Sequence, residues 1–201
     1  ERLRRLGLIG PGLIAVHAVH LNGDEIALLA REGSSVTHCP TSNMLLASGM
    51  CHTRDLQKAG APVGLGVDGS SSADSASLWL EARQAMLLAK LKNGADAADA
   101  RMALEVATIG GAGCLGRLGE IGQIVVGQVG DIAIWDLTGI QFAGAIADPI
   151  EAWLRCGPIG AKHTIVNGKS VVENGQLVSN KVDDMLRQHR VLAHQMQSHL
   201  G

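Results

Sequence analysis

Three short apolar runs each end on a side chain that can bind a metal ion or move a proton. The runs are Leu13 to His17, Ser34 to His38 and Pro62 to Asp68, and a helical pattern follows each of them. Imidazole nitrogens and carboxylate oxygens are ligands of divalent metals, and both groups also act as general acids or bases. The pattern therefore indicates a metal-binding or proton-transfer site assembled from the ends of three strands.

Asp68 is the strongest single signal. A carboxylate that closes a strand as apolar as Pro62 to Val67 is costly to bury without a metal, a proton or a partner. The alternative is that Asp68 caps the following helix, although the residues from Gly69 to Ser72 could cap it as well. The glycines Gly64 and Gly66 predict a close approach by another group, or a bend in the strand.

His17 is the second candidate. It forms an H-x-x-H pattern with His20, yet residues three apart on a strand point to opposite faces. We therefore select His17, which ends its apolar run, and place His20 at the start of a loop. A single histidine at a strand end is more often structural, so this interpretation depends on the other candidates nearby.

Helices alternate with the strands in the first half of the chain. Asn22 is the predicted cap of the first helix, and a loop through Pro40 and Gly49 follows the second strand. Helices are predicted over Asp24 to Glu32, Thr53 to Ala59, Ser77 to Lys92 and Asp96 to Thr108. This alternation predicts parallel strands with right-handed crossovers, in an open doubly wound sheet or in part of a closed (β/α) barrel. In a barrel, catalytic groups lie at the carboxyl ends of the strands.

A second pattern begins near Gly119. Short strands separated by glycine turns are predicted at Ile124 to Val126, Asp131 to Trp135, Thr164 to Val166 and Ser170 to Val172. Asn167-Gly168 is a strong hairpin signal, and Val182 to His199 reads as a polar helix. We therefore expect a barrel part over residues 1–118, β-rich strands over 119–180 and a terminal helix over 181–201.

Size and composition set limits on the class of protein. The chain has 201 residues, 46% of them hydrophobic, which is enough for a sizeable core. A complete barrel takes about 250 residues, so we expect the carboxyl-terminal portion of a larger protein. The net charge of −2 and the scattered basic residues argue against a nucleic-acid partner.

Membrane and cysteine signals are weak. No apolar stretch approaches the roughly 20 residues of a membrane span, and Glu1 to Arg5 lacks the apolar core of a signal peptide. We therefore expect a soluble, cytoplasmic protein with no membrane partner. No C-x-x-C pair is present, so the cysteines are predicted to be reduced, mostly packed thiols: Cys39, Cys51, Cys114 and Cys156.

Two nucleotide-like motifs do not have the required context. Gly111 to Gly116 matches G-x-G-x-x-G but follows a helical segment, whereas a dinucleotide fingerprint joins a strand to a helix. Gly168 to Ser170 resembles the end of a phosphate loop, yet His163 stands where the leading glycine belongs. A dehydrogenase that uses the first motif is kept as an alternative, to be tested by binding of a nicotinamide cofactor.

Three ordered motifs carry a family resemblance. Val16 to Leu21, His38 to Met44 with Ala47 to Gly49, and Leu65 to Gly69 together resemble the amidohydrolase superfamily. More closely, they look like the aminohydrolase branch of atrazine chlorohydrolase-like enzymes, guanine deaminases and 8-oxoguanine deaminases. The resemblance implies an α/β fold, namely the carboxyl-terminal part of a (β/α)8 TIM-type barrel plus strands of a small flanking β-sandwich.

The resemblance also implies roles for particular residues. Asp68 matches the last-strand aspartate, which binds the divalent metal and takes a proton from the attacking water. His17 matches the sixth-strand histidine, which contacts the hydroxide or substrate and is a second candidate metal contact. His38, Ser42 and Asn43 match the seventh-strand motif and are candidate substrate-binding residues. The implied cofactor is one divalent metal ion, zinc with iron as the alternative.

The implied activity is hydrolytic deamination of a fused heterocycle with release of ammonia. Met44 to Cys51 and Glu81 to Leu88 look most like 8-oxoguanine deaminases, and Trp79 is a candidate for stacking on the base. Isoxanthopterin, guanine, isocytosine, a triazine or a thioadenosine nucleoside such as S-adenosylhomocysteine are alternative substrates. A homo-oligomer is expected from the family.

Departures from the family pattern limit what this chain does alone. The first-strand H-x-H and the fifth-strand histidine with its nearby glutamate have no counterpart, so the chain by itself is expected to be inactive. Ala73 stands where the family carries asparagine, which predicts an altered pocket contact. A non-catalytic scaffold, in which His17 and Asp68 serve packing and capping only, is the alternative from another class.

Overall fold

The computed structural model describes residues 2–198, which divide into two compact units. Among the described residues, the first unit comprises residues 2–129 and 137–159, and the second comprises residues 130–136 and 160–198. His199, the last residue of the predicted terminal helix, lies outside the described residues, as do residues 1, 200 and 201.

A three-stranded parallel sheet forms the centre of the first unit. Its strands are β1 (Ile14–Val16), β2 (Ser35–His38) and β3 (Val63–Leu65), in the order β1-β2-β3. Ile14 pairs with Ser35, and Val36 pairs with Val63. The predicted parallel arrangement is confirmed.

Two strands are shorter than predicted, and the backbone gives the reason. His17 has φ +67° and Asp68 has φ +64°, and neither value is compatible with an extended strand. β1 therefore ends one residue before His17. β3 ends at Leu65, three residues before Asp68, although Gly66 N still donates to His38 O at 2.9 Å.

Helices pack around this sheet, and along the chain at least one helix lies between each strand and the next. They are α1 (Arg2–Arg5), α2 (Gly23–Arg31), α3 (Pro40–Leu45), α4 (Thr53–Ala59), α5 (Leu78–Asn93), α6 (Ala100–Glu105), α7 (Gly111–Cys114) and α8 (Pro149–Arg155). The predicted Asn22 cap is confirmed, because Asn22 Oδ1 accepts from Glu25 N at 2.9 Å and Glu25 Oε2 accepts from Asn22 N at 3.1 Å. This capping box satisfies two free amides at the start of α2.

The connection after β2 is not the open loop that the sequence predicted. It contains α3, whose first residue is Pro40. Proline suits the first helical position, because the missing N–H has no intrahelical partner there. A six-residue helix is too short to produce a periodic apolar pattern, and that is why sequence reasoning missed it.

The predicted helix Asp96 to Thr108 is wrong at both ends. Asp99 caps α6 by accepting from Met102 N at 2.9 Å, so regular helix begins only at Ala100. Beyond α6 the chain continues as a π-helix (Val106–Gly110) and then as α7. The G-x-G-x-x-G motif thus lies in a continuing helical segment and does not join a strand to a helix, which removes the dinucleotide interpretation.

Glycines allow this helical segment to pack on β3. A Cβ on Gly110 would lie 2.1 Å from Val63 O, and a Cβ on Gly64 would lie 3.0 Å from the Cα of Gly111. The close approach predicted from Gly64 is therefore confirmed, and the group that approaches is the chain's own helix.

The core of the first unit contains the two tryptophans Trp79 and Trp153. Their rings meet edge to face with centroids 6.4 Å apart, and Trp79 Nε1 donates to Trp153 O at 3.0 Å. Trp79 retains 8% of its accessible surface. The expectation that Trp79 stacks on a substrate base is wrong, because Trp79 is buried in the core against Trp153.

The second unit holds an antiparallel sheet of four strands. They are β4 (Ile132–Ile134), β5 (His163–Val166), β6 (Lys169–Glu173) and β7 (Gln176–Leu177), in that order. The predicted hairpin is confirmed: Asn167 and Gly168 have φ of 48° and 74° at the β5–β6 turn. Asn174-Gly175, with φ of 48° and 77°, makes a second such turn that the sequence analysis missed.

The strand predicted at Ile124 to Val126 is wrong. These residues carry no strand pairing, and they are exposed, Val126 fully so. Gln128 N donates to Val125 O at 3.1 Å, which closes a turn instead. β-branched side chains favour strands only where a neighbouring strand is available, and here none pairs with them.

The last element is helix α9 (Val182–Ser198), which matches the predicted helix over its described length. None of its residues is buried. Within residues 2–198, no helix combines the length and the apolar character that crossing a bilayer would require.

Candidate active site

The carboxyl ends of β1, β2 and β3 bring the predicted site residues together. Because the strands are parallel, His17, the segment after His38, and Asp68 all leave the sheet at the same edge. His17 Nε2 lies 3.7 Å from Asp68 Oδ2, and the two side chains retain 37% and 32% of their accessible surface. The carboxyl edge of the sheet thus carries a partly exposed imidazole beside a partly exposed carboxylate.

Three donors surround the carboxylate of Asp68. Oδ2 accepts from Ser42 Oγ at 2.5 Å and from Ser72 Oγ at 3.2 Å, and Oδ1 accepts from Gly69 N at 2.8 Å. The bond from Ser42, followed by that from Gly69, lowers the pKa of Asp68 below its usual value. The carboxylate is therefore ionised at neutral pH and can bind a cation or accept a proton.

Asp68 does not cap the helix that follows it. Helix α5 begins ten residues later, where Ser77 Oγ accepts from Leu80 N at 3.4 Å. The capping interpretation of Asp68 is thus wrong. Ser72, which the sequence analysis considered only as a cap, instead contacts the carboxylate; its position four residues after Asp68, in a turn, was the available signal.

His17 is held by its backbone and by one side-chain contact. Its N–H donates to Thr37 O at 2.9 Å, and its Nδ1 donates to Asn43 Oδ1 at 2.8 Å. Its Nε2 faces Asp68. Both His17 and Asp68 have positive φ, a conformation that costs a non-glycine residue about 1 kcal/mol or more and that is concentrated at functional sites.

His38 lies behind this edge. It retains 1% of its accessible surface, and its Nδ1 is 3.4 Å from Asn43 Nδ2. Burial, with a smaller contribution from His17, lowers the pKa of His38 to about 4, so its ring is neutral at ordinary pH. Asn43 and Ser42 are each 1% exposed, and each points a polar group at a site residue.

Helix α3 carries Ser42 and Asn43, and its start is tied to α5. Glu81 Oε2 accepts from Thr41 N at 2.9 Å, and Thr41 Oγ1 lies 2.5 Å from Glu81 Oε1 and 2.6 Å from Gln84 Oε1. Glu81 is 1% exposed. Sequence reasoning missed this role, although an acid on the otherwise apolar buried face of α5 was a usable signal.

The residues of this edge fit part of a metal site. Asp68 offers ionised oxygens and His17 offers a nitrogen, which are the donor types that zinc prefers. Residues 2–198 nevertheless contain no group of three or more His, Cys, Asp or Glu arranged to hold a metal ion. Burial raises the pKa of the Cys39 and Cys51 thiols to about 11, which keeps them protonated at neutral pH.

Comparison with known proteins gives one family. The model of the Amidohydrolase family matches residues 1–171. An 8-oxoguanine deaminase of Pseudomonas aeruginosa is 40% identical over 193 residues, which cover 96% of this chain and 42% of that protein. A 5-methylthioadenosine/S-adenosylhomocysteine deaminase of Halobacterium salinarum is 38% identical over 176 residues, which cover 86% of this chain and 40% of that protein.

Solved structures agree with these matches. The crystal structure of an adenosine deaminase from Xanthomonas campestris with bound zinc has a TM-score of 0.89 and 33% identity, covering 98% of this chain and 45% of that chain. The crystal structure of an atrazine chlorohydrolase from Arthrobacter aurescens complexed with zinc has a TM-score of 0.88 and 30% identity. The match covers 94% of this chain and 42% of that chain. The chain thus spans about two fifths of the length of the relatives that it matches.

Proposed function

The chain belongs to the amidohydrolase family, and on this basis we propose that it supplies part of the active site of a metal-dependent hydrolytic deaminase acting on a fused heterocycle. The observation that carries the proposal is the pairing of His17 with an ionised Asp68 at the carboxyl edge of a parallel sheet. Relatives named as deaminases support the reaction class.

The fold proposal follows from the same edge. The strands β1 to β3 with their helices are the carboxyl-terminal part of a (β/α)8 barrel, and β4 to β7 belong to a small β-sandwich. Parallel strands separated by helices, with polar groups at the carboxyl ends, support the barrel part. The four-stranded antiparallel sheet in a separate compact unit supports the second part.

Asp68 and His17 would hold one divalent metal, zinc by preference, together with donors from the length of the relatives that this chain does not cover. When bound, such a metal lowers the pKa of its water ligand and so supplies a hydroxide nucleophile near neutral pH. Zinc in two of the solved relatives supports this choice.

Residues of this chain would transfer the protons and hold the reacting side chains in place. Asp68 accepts a proton from the attacking water as the C–O bond forms, and then passes this proton to the amino group, which leaves as ammonia when the C–N bond breaks. Ser42 and Ser72 hold the carboxylate, and Asn43 holds the ring of His17. Asn43 engages Nδ1 of His17, so any contact of His17 with the metal, the hydroxide or the substrate would be through Nε2.

The leading substrate is 8-oxoguanine or a similar oxidised purine. Support comes from the Pseudomonas relative, at 40% identity over nearly the whole chain. A thioadenosine or S-adenosylhomocysteine nucleoside is the second candidate, favoured by the Halobacterium relative. Ala73, where the family carries asparagine, is 4% exposed and offers the pocket no hydrogen bond.

The test is release of ammonia by the full-length protein that contains this chain. We expect turnover of 8-oxoguanine above isoxanthopterin, guanine and 5′-methylthioadenosine, about one metal per chain, and loss of turnover in Asp68→Asn. Asp74→Asn, an exposed acid in the same loop, is the control that leaves turnover unchanged. A protein that contains metal but shows no turnover would exclude these substrates. A protein that contains no metal and shows no turnover would support the scaffold alternative.

We also propose that the whole protein is a cytoplasmic homo-oligomer that binds a small heterocycle. Sedimentation of the full-length protein checks the oligomeric state, and a monomer would contradict it.

A further inference from the structure

The two candidate metal donors are joined by one short helix. His17 follows β1 and Asp68 lies beyond β3, so neither strand by itself fixes the separation of the two side chains. Helix α3 contacts both of them, because Ser42 Oγ donates to Asp68 Oδ2 at 2.5 Å and Asn43 Oδ1 is 2.8 Å from His17 Nδ1. A shift of α3 would therefore move the partners of both donors together.

Helix α3 does little to fix its own position. It has six residues, its cap residue Cys39 makes no side-chain capping bond, and its first residue, Pro40, has no N–H. Isolated helices of this length are not stable in water, because few hydrogen bonds offset the cost of forming the first turn. Its last residues, Met44 and Leu45, are exposed. The position of α3 must therefore be set by groups outside the helix.

Glu81 on helix α5 is such a group. It is buried, its Oε2 accepts from Thr41 N at 2.9 Å, and its Oε1 lies 2.5 Å from Thr41 Oγ1. Helix α5 spans 16 residues, and the side chain of Ser77 caps its start. A long, capped helix thus holds the residue that directly precedes Ser42 and Asn43.

The alternative is that the donors keep their orientation without α3. Thr37 O accepts from His17 N at 2.9 Å, which fixes the backbone of His17 but leaves the torsions of its side chain free. Ser72 Oγ donates to Asp68 Oδ2 at 3.2 Å, a longer bond than the one from Ser42. Both donors would therefore keep their backbone positions and lose their side-chain orientation if α3 moved.

We propose that Glu81 is a positioning residue, which acts through helix α3 to orient the two candidate metal donors, Asp68 and His17. The link runs from the Glu81 carboxylate to Thr41 and on to the next two residues of α3. Contacts outside the ligand shell orient metal ligands, and their loss typically weakens metal binding about 10- to 100-fold. The effect on the metal rests on the proposed function, whereas the orientation of the two side chains does not.

The first test reads this orientation without a metal. Crystal structures of the metal-free full-length protein and its variants give the distance from Ser42 Oγ to Asp68 Oδ2. In Glu81→Gln we expect a hydrogen bond as in the native protein, because glutamine still offers an oxygen to Thr41 N. In Glu81→Leu, which offers none, we expect the distance to exceed about 3.5 Å. An unchanged distance in a folded Glu81→Leu protein would overturn the proposal.

Glu81→Asp covers the case in which the leucine variant does not fold. Aspartate keeps the carboxylate, but its side chain is one methylene shorter, so it does not reach Thr41 N unless α3 shifts. We expect the Ser42–Asp68 distance to lengthen in this variant as well. A native distance in Glu81→Asp would count against the proposal.

Zinc affinity of the full-length protein gives the second readout. Competition with a chelator should show binding about tenfold or more weaker in Glu81→Leu, and close to native in Glu81→Gln. Leu154→Ala, at a fully buried position of α8, is the control for a loss of stability alone and should keep its zinc affinity while folded. Equal weakening in Glu81→Leu and Leu154→Ala would show general destabilisation and overturn the positioning role.

Failure of this proposal is distinguishable from failure of the proposed function. If the Ser42–Asp68 distance depends on Glu81 but the native protein neither binds zinc nor releases ammonia, the proposed function fails and the orienting role of Glu81 stands. If the native protein binds zinc and releases ammonia, but Glu81→Leu changes neither the distance nor the zinc affinity, the proposed function stands and the role of Glu81 fails.

Discussion

Asp68 and His17 owe their placement to the same backbone feature. Each lies beyond the end of a strand and has positive φ, so the backbone there departs from the extended conformation of the strand. A bulky residue in this conformation is strained, and neighbouring contacts have to hold it there. Ser42 and Asn43 supply those contacts.

At the residue scale, Ser42→Ala should raise the pKa of Asp68. Ser42 is the largest cause of the lowered pKa, and Ser72 contributes less. A lowered carboxyl pKa favours the folded state above the pKa of the unfolded chain, and this benefit is lost as pH falls through the folded value. Removing the Ser42 bond moves that loss to higher pH.

The measurement is a ¹³C titration of the Asp68 carboxyl in metal-free protein. Ser72→Ala serves as the matched control and should produce a smaller upward shift of the pKa. A larger effect from Ser72→Ala than from Ser42→Ala would show that the order of the two bonds is reversed.

At the element scale, helix α3 depends on a carboxylate from another helix. Its cap residue Cys39 makes no side-chain capping bond to the helix, and Glu81 accepts from Thr41 N instead. Glu81→Leu leaves this amide unpaired in the interior, which should cost about 1–3 kcal/mol of the free energy of unfolding.

Glu81→Gln tests the cause of that loss. Glutamine retains an oxygen for Thr41 N, so urea unfolding of this variant should recover most of the stability. Equal losses in both variants would mean that the charge of Glu81, and not its hydrogen bond, holds α3.

The helical segment on β3 gives a second prediction at this scale. Gly110→Ala would place Cβ 2.1 Å from Val63 O, a backbone atom that cannot move aside. We expect a loss of stability of about 3 kcal/mol or more, as for overpacked cores. The adjacent Gly111→Ala meets nothing within 4 Å and should stabilise by about 0.5–1 kcal/mol.

Denaturant unfolding of the two alanine variants checks this contrast. Because the positions are neighbours in one helical segment, helix propensity is matched between them. Similar effects of the two substitutions would contradict the close packing of this segment on β3.

At the scale of the whole molecule, the proposed tetrahedral metal site would take two of its donors, His17 and Asp68, from this chain. We therefore expect the 201-residue chain alone to bind zinc weakly and to release no ammonia. Competition with a chelator, run beside the full-length protein, measures the difference. Tight zinc binding by the chain alone that persists in Asp68→Asn would place the metal elsewhere.

Local patterns explain most of what could be predicted. The apolar runs located β1, β2 and β3, and Asn167-Gly168 located a hairpin turn, because both signals depend on neighbouring residues only. The same reasoning failed at Ile124 to Val126, where apolar β-branched residues have no partner strand. It also failed at α3, which is too short to show a period.

The amino-acid sequence by itself determined the order of strands and helices, the parallel arrangement, and the identity of His17 and Asp68 as groups that leave strand ends. Only the tertiary structure decided which atoms meet: Asn43 reaches His17 across 26 residues of chain, and Glu81 reaches Thr41 across 40. Such contacts depend on how crossovers pack and which side chains become buried, and no local pattern encodes them. For the same reason Trp79 proved to be core, His38 a buried neutral ring, and Glu81 the anchor of the helix that holds the site.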